Sequence, residues 1–98
     1  MYTNFNDVVR KAVELGPFKV SVAVAQDKEV LRAVKIAKDM GLIEPILVGD
    51  KDIIEPLLKE TDLDADTPII HELDETEAVK KAVLEVKNQR AQVLMKGF

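Results

Sequence analysis

The stretch that most constrains the fold is Phe18 to Asp27, FKVSVAVAQD. In an extended chain Val20, Val22 and Val24 point one way and Ser21, Ala23 and Ala25 the other. Between Val20 and Ala25 neither face carries a charge. A strand without a charged face belongs inside a sheet covered on both sides, which is the condition of a parallel sheet. The small residues of the second face suit a helix packed closely above it. Asp27 then has the character of a helix N-cap, accepting from backbone N–H groups of the first turn. The stretch reads as a buried parallel strand running into a helix.

The rest of the chain repeats that pattern. Thr3 to Leu15 has Phe5, Val8, Val9, Ala12 and Val13 at helical spacing, and Gly16-Pro17 stops it. After Asp27 a helix runs to about Met40, with Val30, Leu31, Val34 and Ala37 inward and Gly41 at its end. Pro45 to Val48 is a second strand, closed by Gly49-Asp50. Asp50 to Glu60 is a short helix with Ile53, Ile54, Leu57 and Leu58 inward, and Pro56 is expected in or near its first turn. The acidic loop TDLDAD leads to a third strand, Thr67 to His71, placed towards an edge by Pro68. Asp74-x-x-Glu77 opens a helix that buries Ala78, Val79, Ala82, Val83 and Val86. Ala91 to Lys96 is the fourth strand.

Strands alternating with helices imply a parallel sheet with right-handed crossovers. The expected fold is α/β, a Rossmann-like three-layer αβα arrangement with a four-stranded parallel sheet in the order 3-2-1-4. All 98 residues form a single lobe. The abrupt end after the fourth strand reads as a partial chain. An exposed face on such a lobe favours self-association, so a homo-oligomer is expected.

Composition narrows the function by exclusion. Aromatic residues make up 4% of the chain, so Val, Ile, Leu and Ala must fill the core. The net charge of −4 speaks against nucleic-acid binding through a basic surface. Without cysteine there is no disulfide, thiol nucleophile or cysteine-based zinc site. The N-terminal residues lack the apolar core of a signal peptide, and no run approaches the roughly 20 apolar residues that span a bilayer. A cytoplasmic protein without membrane partners is expected.

In open α/β sheets ligands bind beyond the carboxyl ends of the strands, at the point where strand order reverses. Here that point lies between strands 1 and 4, flanked by Gln26-Asp27 and Lys96-Gly97. Gln26 and Asp27 can orient a polar ligand, although capping its own helix is the stronger role for Asp27. Lys96 can offer positive charge to a phosphate and Gly97 close backbone approach; a surface lysine and an ordinary strand-end glycine fit equally well. The first turn lacks the G-x-G-x-x-G glycines, which disfavours a nicotinamide-binding domain. Gly49-Asp50 reads as a turn and helix cap. His71 has no evident partner or cleft and reads as a solvent-facing strand end. The acidic residues from Asp62 to Glu77 lack the EF-hand pattern and read as a solvated surface rather than a metal site.

Three stretches, VAVAQDKEVLRAVKIAKDMGLIEPILVGD (Val22 to Asp50), the Glu77 to Val86 helix and AQVLMKGF (Ala91 to Phe98), together resemble the start of phosphate butyryltransferases, within the phosphate acetyl/butyryltransferase family. The words AVAQD, ILVGD and MKG stand in family order, and AVAQD and MKG favour the butyryl branch. The resemblance implies reversible transfer of a butyryl or other short acyl group between coenzyme A and inorganic phosphate. It implies coenzyme A as substrate, no covalently bound cofactor and no metal. It also implies that this chain is the N-terminal lobe of a longer two-lobe enzyme, inactive without the remainder. Lys96 becomes the candidate catalytic residue for charge stabilisation, with Gln26, Asp27 and Gly97 as substrate-binding candidates. A non-catalytic α/β binding module is the competing reading.

Overall fold

Helices and strands alternate along the computed structural model, which describes Asp7, Arg10 and residues 14–96. The elements are β1 (Phe18–Ala23), α1 (Lys28–Asp39), β2 (Ile43–Gly49), α2 (Lys51–Glu60), β3 (Ile69–His71), α3 (Glu75–Lys87) and β4 (Val93–Lys96). Asp7, Arg10, Glu14 and Leu15 are helical. The apolar positions expected for that first helix, Phe5, Val8, Val9, Ala12 and Val13, lie outside the described residues.

The four strands form one parallel sheet in the order β3-β2-β1-β4. Val20 stands opposite Pro45 on one side and Val93 on the other; Ala23 stands opposite Val48 and Lys96. One face carries Val20, Val22, Leu47 and Val93 against Leu31, Val34 and Ala37 of α1 and Ile54 and Leu58 of α2. The other carries Ala23 and Val48 against Ala78 and Ala82 of α3. Strand order reverses after β3, so right-handed crossovers put α3 opposite α1 and α2. This is the expected three-layer αβα fold.

Side-chain size explains how closely α3 lies. Ser21 is fully buried on that face and its hydroxyl donates to the Ala82 carbonyl at 3.0 Å. Only small residues on both elements allow a strand side chain to reach a helix carbonyl. α1, α2 and α3 each start where an aspartate accepts from the first turn: Asp27 from Val30, Asp50 from Asp52, and Asp74 from Glu77. Gly41 ends the α1 segment at φ +74, the left-handed position at which a side chain is strained.

Four local features depart from the expected pattern. β1 ends at Ala23, and Val24 takes a left-handed φ of 54. That turn moves Val24 to the α3 face and Ala25 to the α1 face, the reverse of plain alternation. A β-branched residue there costs about 1–3 kcal/mol. Burial of the Val24 side chain offsets a similar amount. β2 is longer than expected, with Pro45 in the middle of an interior strand. The Leu47 N–H reaches Pro68 O across the β3 side. Pro45, two residues earlier, turns its nitrogen to that same side at a level where β3 has not begun, so no ladder bond is lost. Pro56 sits in the second turn of α2 rather than the first. Ile53, expected inward, is 49% exposed because this short helix packs through Ile54 and Leu58.

Candidate active site

The carboxyl edge of the sheet gathers the turn after β1, the turn after β2, the end of β3 and the end of β4. Lys96 closes β4 directly opposite Ala23. Leu94 packs on the α3 face. Alternation therefore puts Lys96 on that face as well. The side chain is exposed, and among the described residues its ammonium makes no ion pair or hydrogen bond. Gly97, the other residue expected here, lies outside the described residues.

Asp27 is half-buried and caps α1: Oδ1 accepts the Val30 N–H at 3.1 Å, while the Asp27 carbonyl accepts from Leu31. Its own N–H donates to Ala25 O at 2.8 Å, closing a tight turn. The capping role expected for Asp27 holds, and Oδ2 is unengaged among the described residues.

Gln26 leans away from β4. Its Oε1 accepts the Asp50 N–H at 3.3 Å, across to the turn after β2. A Cβ at Gly49 would collide with that oxygen and lie 3.1 Å from Ala25 N. The structure thus brings Ala23 and Lys96 together on one side of β1 and ties Gln26 to the opposite side. Gly49 does not have a left-handed φ, so close approach is what requires glycine there. A glycine ending an interior strand was the one sequence signal for this contact.

The β3 end is engaged too. His71 Nδ1 accepts the Lys51 N–H at 3.1 Å, satisfying an early donor of α2. Its expected lack of a partner is thereby corrected, although the ring is exposed. Lys81 Nζ lies 2.9 Å from Glu72 Oε1, and the Asp74 N–H donates to Oε2 at 3.1 Å. Lys81, then the Asp74 N–H, hold the Glu72 carboxyl below its ordinary value. In the acidic loop, Asp64 pairs with Lys38, whose hydrogen bond holds the carboxyl low, and Leu63 enters the core. Among the described residues no group of three or more His, Cys, Asp or Glu is placed to hold a metal ion. Nor is any of their helices long and apolar enough to cross a membrane.

A cavity of about 660 Å³ opens at the opposite, amino edge, lined in part by Lys19, Glu44, Pro45, Thr67 and Arg90. Its charged groups are spoken for in part by ion pairs, Lys38 with Asp64 and Arg90 with Glu85. At the carboxyl edge the end of the interior strand β1, a lysine on β4 that is unpaired among the described residues and the reversal of strand order coincide, the position at which open α/β sheets bind ligands.

Sequence comparison gives a consistent picture. The family model described as phosphate acetyl/butaryl transferase matches residues 4–97. A phosphate butyryltransferase of Clostridium beijerinckii is 40% identical over 99 residues, covering 100% of this chain and 33% of that protein. A phosphate acetyltransferase of Rickettsia typhi is 33% identical over 95 residues, 96% of this chain and 27% of that protein. A probable phosphate butyryltransferase of Bacillus subtilis is 34% identical over 91 residues, 93% of this chain and 30% of that protein. The chain spans about a third of the length of these curated relatives.

Proposed function

Since the chain belongs to the phosphate acetyl/butaryl transferase family, we propose that it is the N-terminal lobe of a two-lobe phosphate acyltransferase. The reaction is reversible transfer of a butyryl or other short acyl group between coenzyme A and inorganic phosphate. The observation that carries this reading is the family match across residues 4–97, with 40% identity to a phosphate butyryltransferase along the whole chain. Greater identity to that relative than to the acetyltransferase favours butyryl. The cell compartment that supplies acyl-CoA, the cytoplasm, is the proposed location.

In the forward direction a phosphate oxygen attacks the thioester carbonyl carbon. The carbonyl oxygen gains negative charge, the C–S bond breaks, and coenzyme A leaves as a thiolate that takes up a proton. Such a reaction needs phosphate held in line with the carbonyl and positive charge where the oxyanion develops. Lys96, unpaired among the described residues, is the group on this lobe suited to stabilise that charge. Asp27, at the turn after β1, and Gly97, which follows Lys96 in sequence, are the proposed substrate-binding residues beside it, with Gln26 at the same turn. The other two thirds of the enzyme supply much of the coenzyme A and phosphate binding, so the lobe alone does not turn over.

A chimera tests this directly: the aligned third of the C. beijerinckii enzyme is replaced by this chain, and phosphate-dependent thiol release is followed with butyryl-CoA and acetyl-CoA. Release is expected, faster with butyryl-CoA, and Lys96→Ala should lower kcat about 100-fold. A folded chimera that releases no thiol argues against the acyltransferase assignment. Full activity in Lys96→Ala removes Lys96 from the reaction.

A further inference from the structure

We infer that Gln26 is a positioning residue, a latch between the turns after β1 and β2, and that Gly49 is glycine to make room for it. The functional part of this inference rests on the acyltransferase reading; the latch itself is a property of this chain.

Three observations carry it. First, the Asp50 N–H needs an acceptor, which fixes the Gln26 amide with Oε1 towards β2. Second, the amide occupies the space that a Cβ at residue 49 would take, so the two positions are sterically coupled across 23 residues of sequence. Third, the turn that Gln26 anchors is tense and adjoins the site. Val24 is left-handed, Ala25 N–H donates to Val48 O at 3.0 Å, and Asp27 both closes the turn and caps α1. The backbone bond from Ala25 and the side-chain bond from Gln26 are two ties from this turn to β2. Loss of the side-chain tie lets the strain at Val24 relax and moves Asp27 and the start of α1 relative to Lys96. Gln26 therefore acts through the turn. Its Oε1 points to the β2 side of β1, whereas Lys96 stands on the β4 side.

The latch is tested by a double-mutant cycle in the 98-residue chain. Gly49→Ala should lower Tm by about 5 °C or more. In a Gln26→Ala background the same substitution should cost less than half as much, because the colliding atom is gone. Exchange of the Asp50 amide should quicken in Gln26→Ala and in Gly49→Ala alike. Additive Tm losses with an unchanged Asp50 amide would overturn the latch. The positioning role is read in the chimera. Gln26→Ala and Gly49→Ala should each lower kcat about tenfold, the double variant no further, with KM for butyryl-CoA held within about twofold. A raised KM in Gln26→Ala with Gly49→Ala silent would instead make Gln26 a ligand contact. A chimera inactive before any of these substitutions counts against the acyltransferase reading, while the melting cycle still decides the latch.

Discussion

Glu72 illustrates how single side chains at the carboxyl edge are already engaged. Its carboxylate accepts from Lys81 and from the Asp74 N–H, and both favour the ionised form. The folded pKa lies below the unfolded value. The stabilisation is therefore fully present above that unfolded value and is lost as pH falls through the folded one. Lys81→Met removes the larger cause. We expect the Glu72 titration midpoint, followed by carboxyl NMR, to move up towards the ordinary value, stopping short of it because the Asp74 N–H remains. An unmoved midpoint would deny the pairing. Asp27 is engaged in the same sense, as the cap of α1. Asp27→Ala should cost about 1 kcal/mol in denaturant unfolding, and Asp27→Ser, which can still accept from the first turn, should restore most of it. Equal losses in both variants would contradict the capping role. Lys96 differs from these two, since no described residue occupies its charge.

At the scale of elements, the contact between β1 and α3 sets how closely the second helical layer approaches. Ser21, Ala23, Ala78 and Ala82 are all buried there, and the Ser21 hydroxyl reaches a helix carbonyl. Ala82→Leu forces four-carbon bulk between strand and helix and should destabilise by about 1–3 kcal/mol. Ser21→Ala, which removes one hydrogen bond, should cost about 1 kcal/mol. Denaturant midpoints at constant m-value separate the two, and a neutral Ala82→Leu would mean that α3 is not seated as described. This layer was legible in the sequence because FKVSVA pairs a valine face with a Ser/Ala face. The helix starts were legible because Asp27, Asp50 and Asp74 precede apolar periodicity. The Val24 turn was not, because a β-branched residue has no local reason to be left-handed, and what sustains it is non-local: the packing of its side chain against the α3 layer and the ties from Ala25 and Gln26 to the β2 end. The outward Ile53 was hidden for a related reason: helical spacing names an apolar face, but how much of that face is covered depends on the neighbouring sheet.

At the scale of the whole molecule, order 3-2-1-4 puts the reversal of strand order between β1 and β4, and Lys96 ends β4 there. The alternation of strands and helices made that arrangement legible in the sequence. The placement of the candidate site residues was readable only in outline. Lys96 and Asp27 stand at the expected edge, but the Gln26 tie to β2 joins residues far apart in sequence, and only a glycine ending an interior strand hinted at it. The central claim is that this lobe supplies one wall of a divided active site, in keeping with a chain that spans about a third of its relatives. The most direct test is phosphate-dependent release of thiol from butyryl-CoA by the 98-residue chain alone, measured against a blank without phosphate. The account predicts no release above the blank; sustained release that is lost in Lys96→Ala would show a complete site within this chain and contradict it.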